Sequence, residues 1–452
     1  MKLKNKIIMI TILLSLSIFL LKTDRPIGEE KRNIEQTFIE KPLEDNILTP
    51  EYPEFWIKKI HNKDLLLMDD KEIDEFNKRN FLEEDSLVDL EIQEPTINKG
   101  DLITLINNLS KIPRERRYDS SGDIMDKDFY SRLISNLNMD SMDEIITLQY
   151  GVAVHRTMIR TFPTLESSYR EKGDVQFDRF METAIYPWEP LIIYSESKDG
   201  EWYLGRIYNY LGWIPKKDIA LGEKEEIFRY LNENDFLMVI GGQVLIDNIL
   251  YDMGVKIPLV KENKDTYIVS VPTSGENGSL KVLEREIEKS EDFNKGYLPY
   301  TKENIISQAF KFYGEEYGWG GMNNKRDCSA FIMDIHRTFG IKLPRNTLEQ
   351  GVNSIGKTYD FTNIKTLDER LKFLNGLPEA IVLYMSGHTM LYLGEHEGNH
   401  YIIHQFAGYY EENNGKLDYV NVMKTHVTPV TIKLSTGKTY IEGIYSGKEF
   451  VR

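Results

Sequence analysis

The chain contains one cysteine, Cys328, and the residues around it constrain the fold more than any other stretch. Asp327 precedes it as a helix N-cap, and apolar residues recur at helical spacing until Gly340, which predicts a helix that begins at the cysteine. A thiol in the first turn of a helix faces unpaired backbone N–H groups and the positive end of the helix dipole. Both favour the nucleophilic thiolate. The alternative interpretation is a small buried side chain without reactivity.

Composition sets the broad class of protein. The length of 452 residues allows three or four domains, and a hydrophobic fraction of 41% suffices for ordinary cores. The chain has 56 Lys and Arg against 72 Asp and Glu, a net charge of −16, so nucleic acid is not a predicted partner. The N-terminal residues described next predict that the chain is exported. An exported chain that forms no disulfide yet keeps one thiol is expected to keep it for reactivity.

Residues 1–22 are predicted to be a signal peptide or an N-terminal membrane anchor. Three lysines precede an apolar and hydroxyl-bearing run over residues 7–21. A small-residue cleavage site does not stand out, and the run is short for a full membrane span, so both interpretations stay open. In either case we expect the folded part to be extracellular or in the cell envelope. Residues 23–49 are charged and are predicted to be a linker.

The rest of the chain divides into four predicted regions. Residues 50–140 contain short amphipathic helical runs and are expected to form a clip that wraps other domains. Residues 148–223 and 224–298 contain short β runs punctuated by turns, which predicts two small all-β units. Residues 299–452 combine the cysteine helix with later strands. The stretch 358–377 inside this region is polar and is expected to be an irregular insertion.

Two histidines follow the cysteine on predicted strands. The strands on either side of a turn at residues 394–399 form an antiparallel hairpin in which His388 and His404 lie nearly opposite each other. We therefore expect His388 to take the thiol proton and His404 to orient the His388 ring. The backbone N–H of Cys328 and the Tyr317 hydroxyl are the expected donors to the oxyanion.

Four ordered motifs carry a family resemblance. The runs Y-G-W-G-G with R-D-C-S-A-F, G-I-K-L-P-R-N-T-L-E-Q, S-G-H-T-M-L-Y-L-G and Y-I-I-H resemble the NlpC family of papain-like peptidoglycan endopeptidases. The run S-x-D-G-x-W-Y … G-W-I-P resembles a bacterial SH3-like barrel. The resemblance implies an α+β fold, in which a papain-like NlpC-type domain follows a helical N-terminal clip and two SH3-like barrels.

The resemblance also implies a function and a site. It implies hydrolysis of the bond between γ-D-glutamate and the following diamino acid, lysine or diaminopimelate, in peptidoglycan stem peptides, without a cofactor or a metal. The Asp327 carboxylate suits the free amine of an L-Ala-γ-D-Glu unit, whereas the Ser329 and Tyr317 hydroxyls suit the D-Glu α-carboxylate. The oligomeric state stays open. The residues implied are the catalytic triad Cys328, His388 and His404 and the substrate contacts Tyr317, Asp327 and Ser329.

Three other functions compete with this interpretation. A metal hydrolase would use the sequence cluster of histidines, but their spacing stacks imidazoles only on a helix, and the motif H-E-x-x-H does not occur. His396 and His400 are then expected to be exposed turn residues. A non-catalytic wall-binding protein with a degenerate peptidase domain is the second alternative. The third is an amidase that cuts the muramoyl–L-alanine bond.

Overall fold

The computed structural model describes residues 49–452. The predicted signal peptide or anchor, and nearly all of the predicted linker, lie outside these residues. Within residues 49–452, no helix combines the length and apolar character needed to cross a membrane.

The structure alternates helical and β-rich regions along the chain. The helices are α1 (Pro53–Ile57), α2 (Asp70–Glu83), α3 (Lys99–Leu109), α4 (Lys127–Asn136), α5 (Lys224–Leu231), α6 (Lys302–Phe310), α7 (Cys328–Arg337), α8 (Thr347–Val352), α9 (Leu367–Asn375) and α10 (Tyr440–Gly443). The strands of the first half are β1 (Thr96–Asn98), β2 (Ile145–Thr147), β3 (Gln149–Ala153), β4 (Thr157–Arg160), β5 (Met181–Ile185), β6 (Pro190–Glu196), β7 (Trp202–Ile207), β8 (Tyr210–Pro215) and β9 (Ile219–Gly222). The later strands are β10 (Phe236–Val239), β11 (Gln243–Ile246), β12 (Ile249–Asp252), β13 (Lys256–Glu262), β14 (Thr266–Ser274), β15 (Leu280–Glu288), β16 (Phe293–Lys295), β17 (Lys357–Asp360), β18 (Val382–Met385), β19 (His388–His396), β20 (Asn399–Asn413), β21 (Lys416–Pro429) and β22 (Ile444–Glu449).

The N-terminal helical segment packs on two different partners. Trp56 of α1 and Phe76 of α2 are buried in one hydrophobic core with residues of α6 and α7. Leu102 and Ile106 of α3 are buried in a second core with Trp213 of β8. These helices are too short to bury a core of their own, so their apolar faces are covered by the domains that follow. The helices of this segment are therefore divided between two cores, each shared with a later part of the chain.

Two antiparallel sheets follow this segment. The first has seven strands in the order β5-β4-β8-β7-β6-β3-β9, and the turn between β6 and β7 contains Gly200, which has a φ of 76°. The second has five strands in the order β15-β14-β13-β10-β16, with β11 and β12 forming a separate hairpin. The Trp188 indole donates a 3.0 Å hydrogen bond to the carbonyl of Ser270 and so joins the two sheets.

The C-terminal region is built on a six-stranded sheet in the order β17-β22-β18-β19-β20-β21. Leu391 and Ile403 are buried on the face that packs against Phe331 of α7. Met390 and Tyr392, one residue out of phase, are buried on the opposite face with residues of α9 and α10. This alternation along β19 positions α7, the helix that begins at Cys328, against one face of the sheet.

The stretch 358–377 is not irregular, contrary to expectation. It contains most of β17, which pairs with β22, and all of α9, which begins with a capping box at Thr366. The buried Arg370 side chain donates hydrogen bonds to four backbone carbonyls around α9. These carbonyls compensate the positive charge of the Arg370 side chain. In the sequence, this charge makes the segment resemble a solvent-exposed insertion.

Candidate active site

Cys328 is the first residue of α7, as predicted, and its side chain is buried. The Asp327 carboxylate caps the helix by accepting a 3.0 Å hydrogen bond from the backbone N–H of Ala330. The sulfur lies 3.9 Å from Thr347 Oγ1, and the backbone N–H of Thr389 is directed at it. Thr389 directly follows His388 on β19, so the start of α7 meets the start of the histidine strand.

The thiol is held in its protonated form. Burial and, to a smaller extent, the negative charge of Asp327 raise the pKa of Cys328 to about 11. The Thr389 amide and the Thr347 hydroxyl act in the opposite direction but do not prevail. The expected stabilisation of a thiolate by the helix N-terminus is therefore outweighed by removal of the sulfur from water.

The two predicted histidines are in direct contact. His388 Nε2 lies 2.8 Å from His404 Nδ1, and the far nitrogen of His404, Nε2, lies 3.0 Å from Thr428 Oγ1 on β21. Burial lowers the pKa of His388 to about 4, and burial together with the neighbouring imidazoles lowers that of His404 well below its ordinary value. Both rings are therefore neutral near pH 7.

A β-bulge places the two imidazoles on one face of the sheet. Glu395 pairs with His400, but the register between β19 and β20 shifts between Tyr392 and Gly394, so that Tyr392 pairs with Ile402. Without this extra residue, His388 and His404 would point to opposite faces, because side chains alternate along a strand. A hairpin with the same register along its whole length, as assumed from the sequence, has no such shift. The register predicted from the sequence is therefore uncertain by one residue.

Asp327 and Ser329 are engaged within the protein. The Asp327 oxygens accept hydrogen bonds from Ala330 N, Gly320 N (3.1 Å) and the Ser329 hydroxyl, and Arg345 Nη2 lies 2.7 Å away. Arg345 Nη1 also donates a 2.7 Å hydrogen bond to Ser329 Oγ. Burial opposes ionisation of Asp327, but Arg345 and the two amides hold the pKa of this carboxyl below its usual value. These contacts occupy the Asp327 and Ser329 oxygens within the protein, and the roles of both residues in binding substrate stay predictions.

Tyr317 lies near Cys328. Burial raises the pKa of its phenol well above its usual value, and the proximity of the Asp327 carboxylate and of Cys328, when ionised, acts in the same direction. The structure gives the Tyr317 hydroxyl no hydrogen-bond acceptor within residues 49–452. It is therefore a free donor next to the thiol.

Sequence reasoning missed several residues of the site. The Tyr440 ring lies 5.8 Å from the His388 ring and 5.9 Å from the His404 ring, measured between centroids, and its phenol is close enough to Cys328 for the thiol to raise its pKa. Thr428 and Arg345 complete the hydrogen-bond chains described above. Arg345 lay within a quoted motif, but neither Thr428 nor Tyr440 carries a local signal, because only sheet pairing and helix packing bring them to the site.

The remaining histidines do not form a metal site. His400 is buried, and its Nδ1 lies 2.7 Å from the Tyr392 hydroxyl. The His396 ring packs edge-on against Phe55, 4.8 Å away between centroids. The expectation that both are exposed turn residues is therefore wrong, because β19 and β20 extend closer to the turn than predicted. No group of three metal-ligating side chains occurs among the residues that the structure describes.

Comparison with known proteins agrees with this architecture. The NlpC/P60 family profile matches residues 314–414, and the SH3 domain profile of the SH3b1 type matches residues 163–215. A γ-D-glutamyl-L-lysine dipeptidyl-peptidase of Bacillus cereus is 24% identical over 152 residues, which cover 32% of this chain and 44% of that protein. The matched stretch is thus less than half the length of this relative.

One of the solved structures similar to this chain shares its fold. An NlpC/P60 endopeptidase from Photobacterium damselae subsp. piscicida has a TM-score of 0.70 at 19% identity, over 87% of this chain and 96% of that one. An NlpC/P60 family protein from Bacillus cereus has a TM-score of 0.41 at 17% identity, over 60% and 83%. The chain therefore carries an NlpC/P60 domain, the domain of a family of cysteine peptidases and peptidoglycan hydrolases, behind SH3b-type all-β structure.

Proposed function

We propose that this protein is a cell-wall cysteine endopeptidase that hydrolyses the bond between γ-D-glutamate and the following diamino acid in peptidoglycan stem peptides. The observation that carries the proposal is the continuous chain from His388 through His404 to Thr428 at the strand end that meets Cys328. Such a chain fixes the orientation of the His388 ring, and the amide of its neighbour Thr389 is directed at the Cys328 sulfur.

The contacts of His404 determine how the proton moves. If His404 Nε2–H donates to Thr428 Oγ1, then His404 Nδ1 is an acceptor and receives the N–H of His388 Nε2. This arrangement leaves His388 Nδ1 unprotonated and able to take the proton from Cys328. Since the thiol and both imidazoles are neutral at rest, proton transfer accompanies the attack of sulfur on the substrate carbonyl.

Attack forms a tetrahedral intermediate whose oxyanion needs donors. The backbone N–H of Cys328 belongs to the first turn of α7, where amides have no partner within the helix, and the Tyr317 hydroxyl is a second free donor. His388, now protonated, gives its proton to the departing amine. The acyl-enzyme is then hydrolysed by a water molecule that His388 deprotonates.

The comparisons support both the class of reaction and its substrate. Peptidoglycan is the substrate of this hydrolase family, and one relative is named for cleavage next to γ-D-glutamate. An extracellular or cell-envelope location follows from a wall substrate. We take the bond after γ-D-glutamate, rather than the muramoyl–L-alanine amide, as the scissile bond on the strength of that relative.

Mass spectrometry of products from defined stem tripeptides and tetrapeptides tests this proposal. We expect release of L-Ala-γ-D-Glu by the wild type and no turnover by Cys328→Ala. We expect His388→Ala to be nearly as inactive, whereas His404→Gln keeps partial activity because an amide can still orient the His388 ring.

The same assay separates the alternatives. An inactive wild type that still binds peptidoglycan favours the non-catalytic wall-binding protein. Release of intact stem peptide from muramic acid identifies an amidase. Activity that is lost with a chelator and survives thiol alkylation refutes the cysteine mechanism. Loss of activity in His404→Gln equal to that in Cys328→Ala contradicts a merely orienting role for His404.

A further inference from the structure

Arg179 lies close to the proposed active site. It precedes β5 of the first sheet, and its guanidinium carbon lies 4.5 Å from the centre of the Trp319 ring and 5.4 Å from that of Phe177. Trp319 belongs to the Y-G-W-G-G run that leads into the nucleophile helix. Stacking on two aromatic rings holds the guanidinium plane in place without using its hydrogen-bond donors.

The Arg179 side chain has no protein partner within residues 49–452, neither a hydrogen bond nor an ion pair. Its Nε is buried without an acceptor, and so is the indole Nε1 of Trp319. Unpaired donors are unfavourable in a folded protein unless something outside the chain compensates them. A guanidinium held by its faces, with its donors unpaired, is suited to bind an external anion.

Tyr317 connects this arginine to the nucleophile. The Phe177 ring lies 6.2 Å from the Tyr317 ring between centroids. The Tyr317 phenol is close enough to both Cys328 and Arg179 for each charge to shift its pKa, in opposite directions. Arg179 therefore lies near Tyr317, which itself lies near the Cys328 thiol.

The other arginine of the site is not free to bind substrate. The Arg345 guanidinium already donates hydrogen bonds to Asp327, Ser329 and Thr183. The surroundings of Arg179 are positive in a chain whose net charge is −16, since Arg117 and Arg170 face it and Asp174 balances them only in part. Burial and these two arginines lower the pKa of Arg179, which means that they disfavour its charged form. A bound anion would offset this effect.

We propose that Arg179 binds the free α-carboxylate of the γ-linked D-glutamate in the substrate, an inference that rests on the function proposed above. In a γ-linked residue this carboxylate is separated from the scissile carbonyl carbon by four C–C bonds, which span roughly 5 Å. A planar guanidinium matches a carboxylate with two parallel hydrogen bonds, so it distinguishes a carboxylate from a carboxamide. Arg179 is thus a specificity-determining residue for a glutamate that is not amidated.

A comparison of two substrates and four enzymes tests this proposal. The substrates are L-Ala-γ-D-Glu-L-Lys and the same peptide with its D-Glu α-carboxylate converted to the amide. The enzymes are the wild type, Arg179→Met, Arg179→Lys and the control Arg229→Met. Arg229 also lies over an aromatic ring, that of Tyr230 at 5.0 Å, but on α5.

We expect the wild type to prefer the free acid roughly 10- to 100-fold in kcat/KM, the range expected for a hydrogen bond to a charged group. Arg179→Met should lose this preference, so that its kcat/KM is the same for the free acid and for the amide. Arg179→Lys should keep part of the preference, because it retains the charge but not the paired hydrogen bonds. Arg229→Met should match the wild type.

Three outcomes overturn the proposal. The first is that Arg179→Met keeps the preference for the free acid, and the second is that Arg229→Met loses it to the same extent. The third is that a peptide with diaminopimelate in place of lysine shows that Arg179 binds the carboxylate of the diamino acid instead. A wild type that cleaves neither lysine peptide refutes the proposed function itself, which separates that failure from a failure of the Arg179 assignment.

Discussion

Replacing the buried Asp334 with asparagine should stabilise the protein. Asp334 lies on α7 and is fully buried, where it accepts a 3.0 Å hydrogen bond from the Tyr186 hydroxyl and lies 3.6 Å from Arg326 Nη1. Burial raises its pKa from 3.8 to about 7, in spite of Arg326 and Arg337, and the charge of Asp252 adds to the rise. The folded protein therefore holds a proton on Asp334 that the unfolded chain releases.

The size of the effect follows from linkage. A group whose folded pKa is raised contributes stability that is fully present below its unfolded pKa and is lost as the pH rises through its folded pKa. The difference between 3.8 and about 7 corresponds to an upper bound of about 4 kcal/mol, at about 1.4 kcal/mol per pH unit. Asparagine resembles the protonated form at every pH, so the gain of Asp334→Asn should grow from under about 2 kcal/mol at pH 5 to a maximum of about 4 kcal/mol at pH 8.

Urea-induced unfolding between pH 5 and pH 8 measures this gain. Asp360→Asn is the matched control, because hydrogen bonds from the Thr362 hydroxyl and backbone lower the pKa of Asp360 and no gain is expected. Peptide hydrolysis at the optimum pH should be unchanged, since Asp334 lies on α7 but does not contact the thiol. If Asp334→Asn destabilises the protein at pH 8, the Asp334 carboxylate is stabilised by its arginines and the reasoning fails.

Three further predictions concern the site. Thr428→Val leaves the buried His404 Nε2 unpaired, so kcat should fall about tenfold with KM unchanged, and Thr428→Ser should restore it in steady-state assays. Arg345→Met leaves the buried charge of Asp327 without its partner and should destabilise the protein by about 3–5 kcal/mol in urea; a loss below about 1 kcal/mol contradicts the pairing. Because burial raises the pKa of Cys328 to about 11, its alkylation by iodoacetamide should keep accelerating up to pH 9, and a plateau below pH 8 would show that the thiolate is already formed.

Elements with local signals could be predicted from the sequence. The helix α7 begins at Cys328 and is followed by Gly340 because the cap, the apolar spacing and the stop all lie within one stretch. The histidine hairpin could be predicted for the same reason, since a turn flanked by apolar runs defines both strands. These local features place Cys328 at the start of a helix and His388 and His404 on neighbouring strands, where the two rings are in contact.

Features that depend on distant partners could not be predicted. Strand β17 has three of its four residues exposed and no clear alternation, and it forms only because it pairs with β22, about ninety residues later. The bulge that sets the face of His404 is a property of pairing rather than of local sequence. Thr428 and Arg179 come from another strand and another domain. The sequence does not show that the Asp327 carboxylate is already paired within the protein, because this depends on the position of Arg345.

Trapping of the acyl-enzyme tests the central claim most directly. Wild-type protein mixed with an L-Ala-γ-D-Glu-L-Lys peptide is quenched in acid within the first turnover, and its intact mass and peptide map are measured. We predict an increase equal to the L-Ala-γ-D-Glu acyl group, carried by the peptide that contains Cys328 and lost with time. Turnover without any adduct on Cys328, or an adduct on another residue, would contradict the account.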